Sequence, residues 1–271
     1  MKSSLRFALP FVVLLWSSCS GDEVAPVVEK PVCLLMEQTS VVTYNFVLNP
    51  DVQLKPQTIT TRLEYNDRNA LATIFQTEYA GLYFDRADLK YNKKGQVTEV
   101  VQKYNRYVNE YNGQGKLAKQ TRYNTRIGDF KEVELGYYTL TYNSRQELNE
   151  VQQFSMVSGA PVPELVWRYT YVNGDPVYLE HSEPGGQSYY HVKMTYDTLS
   201  LPSIPYAHTY FEPWRPPSVH NQLSYAVQET NPSYESYSTT YTYNERGYPV
   251  TANTRFSSGM EQTVTYTYVC K

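Results

Sequence analysis

Four histidines, His181, His191, His208 and His220, are the side chains best suited to proton transfer near neutral pH. None lies in a local motif that would pair it with a serine, cysteine or threonine nucleophile. The chain holds no HExxH, no CxxC pair and no EF-hand loop, so neither a metal centre nor a cofactor is expected. His181 and His191 flank the turn at Gly185 and Gly186, with Glu180 and Glu183 nearby, a spacing that would let them approach across a hairpin or leave them solvated on its faces. Paired carboxylates for glycoside hydrolysis can meet from distant strands. Asp85, Asp88, Glu132 and Glu134 are the candidates, each equally suited to a solvated strand face. The segment Tyr206 to Leu223, YAHTYFEPWRPPSVHNQL, differs from the rest in its prolines, which end strand pairing and make it a long, stiff loop. In it Tyr210, Phe211, Trp214 and Arg215 form a candidate binding loop. Exposed Tyr210 and Trp214 would stack on sugar rings, and Arg215 would take a carboxylate or an aromatic face. Folded inward as a plug, the same aromatics would be core.

The elements that position these residues are written in a recurring phrase: YNDRNAL at 65, YNKKGQV at 91, YNGQGKL at 111, YNSRQEL at 142 and YNERGYP at 243. Its fifth position is Asn69, Gly95, Gly115, Gln146 or Gly247, mostly residues that tolerate a positive φ. Asparagine opening a four-residue turn with glycine at its end describes a type I turn followed by a G1 bulge. The asparagine then faces the sixth residue and the tyrosine the seventh, so Tyr65 pairs with Leu71, Tyr91 with Val97, Tyr111 with Leu117 and Tyr142 with Leu148. Val172-Asn173-Gly174-Asp175 is a two-residue Asn-Gly turn with Tyr171 and Val177 around it, and Tyr196-Asp197 and the stretch at Pro184 read as degenerate turns.

Between tips the chain alternates. Trp167, Tyr169 and Tyr171 share a face, as do Tyr237, Tyr241 and Tyr243, then Val264, Tyr266, Tyr268 and Cys270, and near the start Val42, Tyr44, Phe46 and Leu48. Period two, with tyrosine and threonine enrichment and no sustained helical period, predicts an all-β protein. At ten to fifteen residues per strand and turn, the stretch from Cys33 to Cys270 holds about 14 to 18 strands in a long antiparallel meander of hairpins. So long a sheet must curl into a barrel or half-barrel. In an oxidising compartment Cys33 and Cys270, at opposite ends of the folded part, form a disulfide or remain two free thiols. The tyrosine rows serve either as core with satisfied hydroxyls or as a ligand platform.

Residues 1–18 read as a signal peptide: Lys2 and Arg6 supply the basic start and Phe7 to Trp16 an apolar stretch too short to span a bilayer. Trp16-Ser17-Ser18-Cys19 resembles a bacterial lipobox, with Trp16 where the family usually has leucine, which implies acylation at Cys19 in place of ordinary cleavage. Ser20-Gly21-Asp22-Glu23 resembles the acidic tag that sends Bacteroidota lipoproteins to the outer face of the outer membrane, and it also fits a solvated linker. Residues 19–31 then form a flexible tether and 32–271 a single antiparallel β domain. Removing Lys2 and Arg6 leaves 22 basic residues against 27 acidic ones, a formal charge of −5, and no basic cluster, which argues against nucleic acid as a partner.

The pattern Y-[N/D]-x-x-G-x-[L/V] resembles the YD repeat of Rhs-type proteins, which build β-hairpin shells. With the lipoprotein start, the length and 28 tyrosines, the chain is similar to a group of Bacteroidota lipoproteins of unknown function with a porin-like β fold. The resemblance covers nearly the whole mature chain, but its motif is a turn signal, and the spacing between copies is irregular. The sequence thus predicts a non-catalytic, lipid-anchored cell-envelope protein at the outer membrane, on its surface or periplasmic face, acting in binding or assembly. The membrane, through the N-terminal lipid, and an outer-membrane complex or a glycan are the expected partners. The alternatives are an accessory polysaccharide-binding protein or glycoside hydrolase, and a structural subunit of an outer-membrane complex. A transmembrane barrel fits poorly, because strands such as TVTYTYV offer threonine where lipid asks for aliphatic residues.

Overall fold

The computed structural model describes residues 33–44, 55–77, 86–125, 132–200, 212–228 and 235–270. Expectations for the signal segment, Cys19 and the tether, and for Phe46, Leu48, Asp85, His208, Tyr210 and Phe211, lie outside the described residues. Sixteen strands follow one another: β1 (Cys33–Tyr44), β2 (Gln57–Tyr65), β3 (Leu71–Gln76), β4 (Arg86–Tyr91), β5 (Val97–Gln102), β6 (Asn105–Tyr111), β7 (Leu117–Asn124) and β8 (Val133–Tyr142). Then come β9 (Leu148–Val157), β10 (Ala160–Val172), β11 (Asp175–Ser182), β12 (Ser188–Ser200), β13 (His220–Val227), β14 (Tyr237–Tyr243), β15 (Pro249–Phe256) and β16 (Met260–Cys270). Each pairs antiparallel with its chain neighbours, and β1 pairs with β16, so the sheet closes into a barrel. Of the two curled forms the sequence left open, the closed one is adopted.

The turn chemistry is as the phrase predicts. Asn69, Gly95, Gly115, Gln146 and Gly247 all have positive φ, between 57° and 81°. Each opening asparagine donates its backbone N–H to the sixth residue, as in Asn112 to the Lys116 carbonyl at 2.9 Å. Its side-chain oxygen accepts two further N–H groups at 2.9 to 3.1 Å, for example those of Gln114 and Lys116 on Asn112. That is why asparagine and not merely a turn-tolerant residue stands there. Past the turn one residue bulges: Tyr111 faces Leu117, but Glu110 faces Lys119.

The turn at Pro184 forms, with Glu183 and Gln187 closing it, and two other readings need correction. Tyr196 and Asp197 lie within β12, because the chain there continues to meet β13 at Ser200 and His220. In the Asn-Gly hairpin Tyr171 faces Pro176 and Val177 occupies the bulge, so the pair is Tyr171 with Pro176.

A second job of the tyrosine explains its hydroxyl. Its O–H crosses to the carbonyl that opens the preceding hairpin's return strand: Tyr91 to Leu71 at 2.6 Å, Tyr111 to Val97 at 2.7 Å, Tyr142 to Leu117 at 2.8 Å, Tyr196 to Pro176 and Tyr268 to Pro249 at 2.9 Å. Tyr65 reaches Leu35 in the same way at 2.7 Å. Each link contributes about 1 kcal/mol net and fixes the stagger of one hairpin on the next. The even-numbered strands therefore end in a ring of inward tyrosines, here called the tyrosine end. Cys33 and Cys270 face each other at the same end, joined by a disulfide that closes a separation of 237 residues.

The two faces of the barrel differ in kind. Inward residues form two apolar clusters, one from β1 to β6 around Leu63, Ile74 and Val100, the other from β8 to β12 around Val151, Trp167 and Val192. Outward residues carry ion pairs: Arg62 with Glu37, Lys90 with Glu99, Arg106 with Glu99 and Glu132, Arg168 with Glu150 and Glu180, and Arg255 with Glu261. Across the seam the outward positions are threonine, with Thr39 against Thr60 and Thr265.

Candidate functional site

Alternation along the strands puts Tyr107, Tyr138, Trp167 and Tyr169 on the inner wall, each nine-tenths buried or more. Residues 212–219, before β13, bring Trp214 against this wall. Trp214 lies 5.1 Å from the Tyr138 ring and stacks on Trp167 at 5.8 Å, and its carbonyl accepts the Tyr169 hydroxyl. Trp214 is thus a half-buried member of the second apolar cluster. Arg215 pairs with Glu212 in the same turn.

Tyr138 is the centre of the charged groups inside the barrel. Burial pushes its phenol up to about 12, with Arg122 pulling the other way and Tyr107, Glu164 and Glu212 adding to the rise. Tyr107 is raised by burial too, and feels the same Arg122 and Glu212. Arg122 and Glu212 therefore act on both phenols, Glu164 acts on Tyr138, and Trp214 packs on Tyr138. Arg122 faces inward from β7, opposite Tyr107 on β6 and Gly136 on β8. Glu164 reaches the lumen because β10 bulges there, and accepts from the Gln153 side chain at 2.7 Å. Towards the end of the barrel opposite the tyrosine ring the inner wall turns to amides, with Gln76, Gln102, Asn105, Asn124 and Gln153. This is called the amide end.

The approach of His181 to His191 that the spacing allowed does not occur. His181 faces Tyr190 and His191 faces Glu180, so the two rings lie on opposite faces of the sheet. His181 points inward between Trp167, 5.0 Å away and stacked, and Tyr190, 4.8 Å away and edge-on. Burial lowers its pKa, and neither ring nitrogen has a partner among the described residues. Among the carboxylate candidates, Asp88 is outward and held below the usual range by Arg86, then by Thr73 against the cost of burial. Glu132 is held down by the Arg106 guanidinium at 2.6 Å on the outer face. Glu134 pairs with outward Tyr123. None of these three meets Trp214.

One pair was not visible in the sequence. The Asp175 carboxylate lies 2.6 Å from His220 Nδ1 and accepts the backbone N–H of Val219 and His220, at 2.9 and 3.0 Å. Asp197 accepts from Asn221 N–H and from its side chain, and from the Tyr243 hydroxyl. A carboxylate that orients an imidazole is the first half of a hydrolytic triad. Ser218, two residues before His220, donates to the His220 carbonyl at 3.1 Å. The cluster ties Val219, His220 and Asn221 to β11 and β12. No spacing signal marks partners 45 residues apart. Among the described residues no three His, Cys, Asp or Glu side chains converge to hold a metal ion.

No protein-family model matches the chain, and no curated protein matches it by sequence. Solved structures do. A porin-like protein of Bacteroides uniformis is 16% identical, with a TM-score of 0.58 over 87% of this chain and 96% of that one. A porin-like protein of Bacteroides vulgatus is 10% identical, with a TM-score of 0.48 over 87% and 98%. The TcdB2-TccC3-TEV structure is 10% identical, with a TM-score of 0.35 over 84% of this chain and 11% of that one. The first of these likenesses is one of fold, a porin-like β-barrel.

Proposed function

We propose that the protein is a non-catalytic, lipid-anchored component of the outer membrane whose barrel stands outside the bilayer and acts by binding. The observation that carries this reading is the polarity of the two faces. A membrane barrel turns aliphatic residues to lipid, and an arginine or lysine at the bilayer midplane costs about 2 to 4 kcal/mol. This barrel turns at least five sets of ion pairs outward among scattered valines and aromatics, and its two buried apolar clusters, built around Leu63, Ile74 and Val100 and around Val151, Trp167 and Val192, lie inside. It is built like a porin in topology and like a water-soluble core in polarity. Attachment to the membrane then rests on acylation at Cys19, where two or three acyl chains suffice at about 0.8 kcal/mol per buried methylene.

Fractionating cells that express the full chain tests this. The wild-type protein is expected with the membranes and the Cys19→Ala variant in the soluble fraction. A variant that stays in carbonate-washed membranes would mean that the barrel itself spans the bilayer.

A second reading, binding of a polysaccharide by the lumen, is favoured by one observation: Arg122, Glu164 and Glu212 all act on Tyr138, against which Trp214 packs. Aromatic faces with flanking charged and amide groups are the ordinary means of holding a sugar ring.

A further inference from the structure

Polar groups inside a barrel are expected to be paired, so the informative ones are those left over. Glu212 has Arg215, and Glu164 has the Gln153 amide. The deeper amides pair with each other and with the chain, Gln120 to Asn109 at 2.9 Å and Asn109 to the Val97 carbonyl at 2.9 Å. Arg122 has nothing comparable. It faces the lumen from β7 between Tyr107 and Gly136, is exposed there, and makes no hydrogen bond or ion pair among the described residues. Gln102, facing the same space from the end of β5, is 6% exposed, and its carboxamide oxygen has no partner among the described residues.

We infer that the amide end of the lumen, between β5, β6 and β7, takes an acidic saccharide whose carboxylate pairs with Arg122. The guanidinium offers the two parallel N–H donors that match a carboxylate. A sugar needs donors and acceptors in equal supply, and amides offer both: Gln102, Asn105 and Asn124 lie on the wall beside Arg122. Trp214, half-buried and packed on Tyr138, whose phenol feels Arg122, supplies aromatic contact for the ring. Arg122, an inward cation with no ion pair among the described residues, decides the class. A neutral sugar would leave Arg122 unanswered, and a bare anion would leave the amides unused. The inference rests on the binding role proposed above and narrows its ligand.

Titration of the purified full chain with an oligogalacturonate, read by tryptophan fluorescence, tests it against a neutral maltooligosaccharide of equal length. A charge-assisted pair corresponds to a loss of at least about tenfold in affinity when one partner goes. Arg122→Gln is expected to show that loss, and Arg168→Gln, which removes an outward arginine, to stay within about twofold. Near-ultraviolet circular dichroism of both variants guards against misfolding. Failure of the oligogalacturonate and of a hexuronate panel to bind at millimolar concentration overturns the inference. So does equal binding of the neutral sugar, or an Arg122→Gln affinity equal to that of Arg168→Gln. If binding fails while Cys19→Ala still releases the protein from membranes, the anchored-barrel reading stands and only the ligand class falls.

Discussion

At the tyrosine end of the barrel the repeated tyrosines and asparagines find partners within the chain, with the Tyr171 hydroxyl and the Gln146 carboxamide oxygen as exceptions; at the amide end the group left over is a charged one, Arg122, beside the Gln102 carboxamide oxygen. Tyr111 donates to Val97 and Tyr142 to Leu117, and the asparagine of each tip takes two backbone N–H groups. Some twenty ångströms of strand away, Arg122 and the Gln102 carboxamide oxygen have no comparable partner among the described residues. The inward rows of β5 to β7 thus pass from hydroxyls that the chain satisfies to a guanidinium that it does not. A tyrosine that repeats because it ties hairpins together is architecture, and a lone inward guanidinium is a demand on something outside the chain. Repetition marks the first and interruption the second.

The largest way to break the tyrosine end is alkali. Burial pushes the phenols of Tyr65 and Tyr142 up to about 12, from an ordinary value of 10, and that of Tyr138 likewise. Between pH 10 and 12 the folded state therefore holds protons that the unfolded chain has lost, so stability falls as pH rises through that window. Spectrophotometric titration should show one set of tyrosines ionising near 10, and a second set ionising near 12 together with the loss of the β circular dichroism signal. A single transition near 10 with the fold intact would mean the ring is solvated.

Next in size is the disulfide at the same end. Replacing Cys33 and Cys270 by serine removes a cross-link over 237 residues, for which the loop-entropy model gives up to about 5 kcal/mol. Denaturant midpoints with and without reductant should move together with the double variant. A shift under about 1 kcal/mol would show that the β1–β16 seam alone holds the closure.

Turns, strand number and face assignment were legible because they are local: Asn112 and Gly115 announce their turn, and threonine at 263, 265 and 267 announces an outward face. The tyrosine hydroxyl's target was not, since Tyr142 reaches Leu117 across 25 residues and the stagger of neighbouring hairpins is a property of the closed sheet. The site was half legible. Proline marked the segment that carries Trp214, but its approach to Tyr138 and Trp167 depends on the barrel's radius. Arg122 sits in an unremarkable strand, Leu117–Asn124, where only register decides whether a charge faces water or lumen.

A smaller test separates a satisfied hydroxyl from an idle one at the same motif position. Tyr142→Phe deletes the donor to Leu117 and takes a side-chain partner from a part-buried carbonyl, which should cost about 1 kcal/mol. Tyr171 occupies the equivalent place on β10, yet its buried hydroxyl has no partner among the described residues. Tyr171→Phe should change the denaturation midpoint by no more than a few tenths of a kcal/mol. Equal costs at the two sites would mean that the ring contributes through its aromatic packing and not through its hydrogen bonds.

The smallest expected effect has the opposite sign and lies in a single tip. Gln146 holds φ at 64°, a conformation that costs an L-residue about 1 kcal/mol or somewhat more, where three other tips place glycine. Its side-chain oxygen is also buried without a partner among the described residues. Gln146→Gly relieves both, at the expense of a more flexible unfolded chain, so the net should be a gain of up to about 1 kcal/mol. The same change at Arg145, one residue earlier and without positive φ, should destabilise slightly. Thermal midpoints of the two variants give opposite signs if the tip is a type I turn closed by a left-handed residue, and the same sign if its backbone is not so constrained.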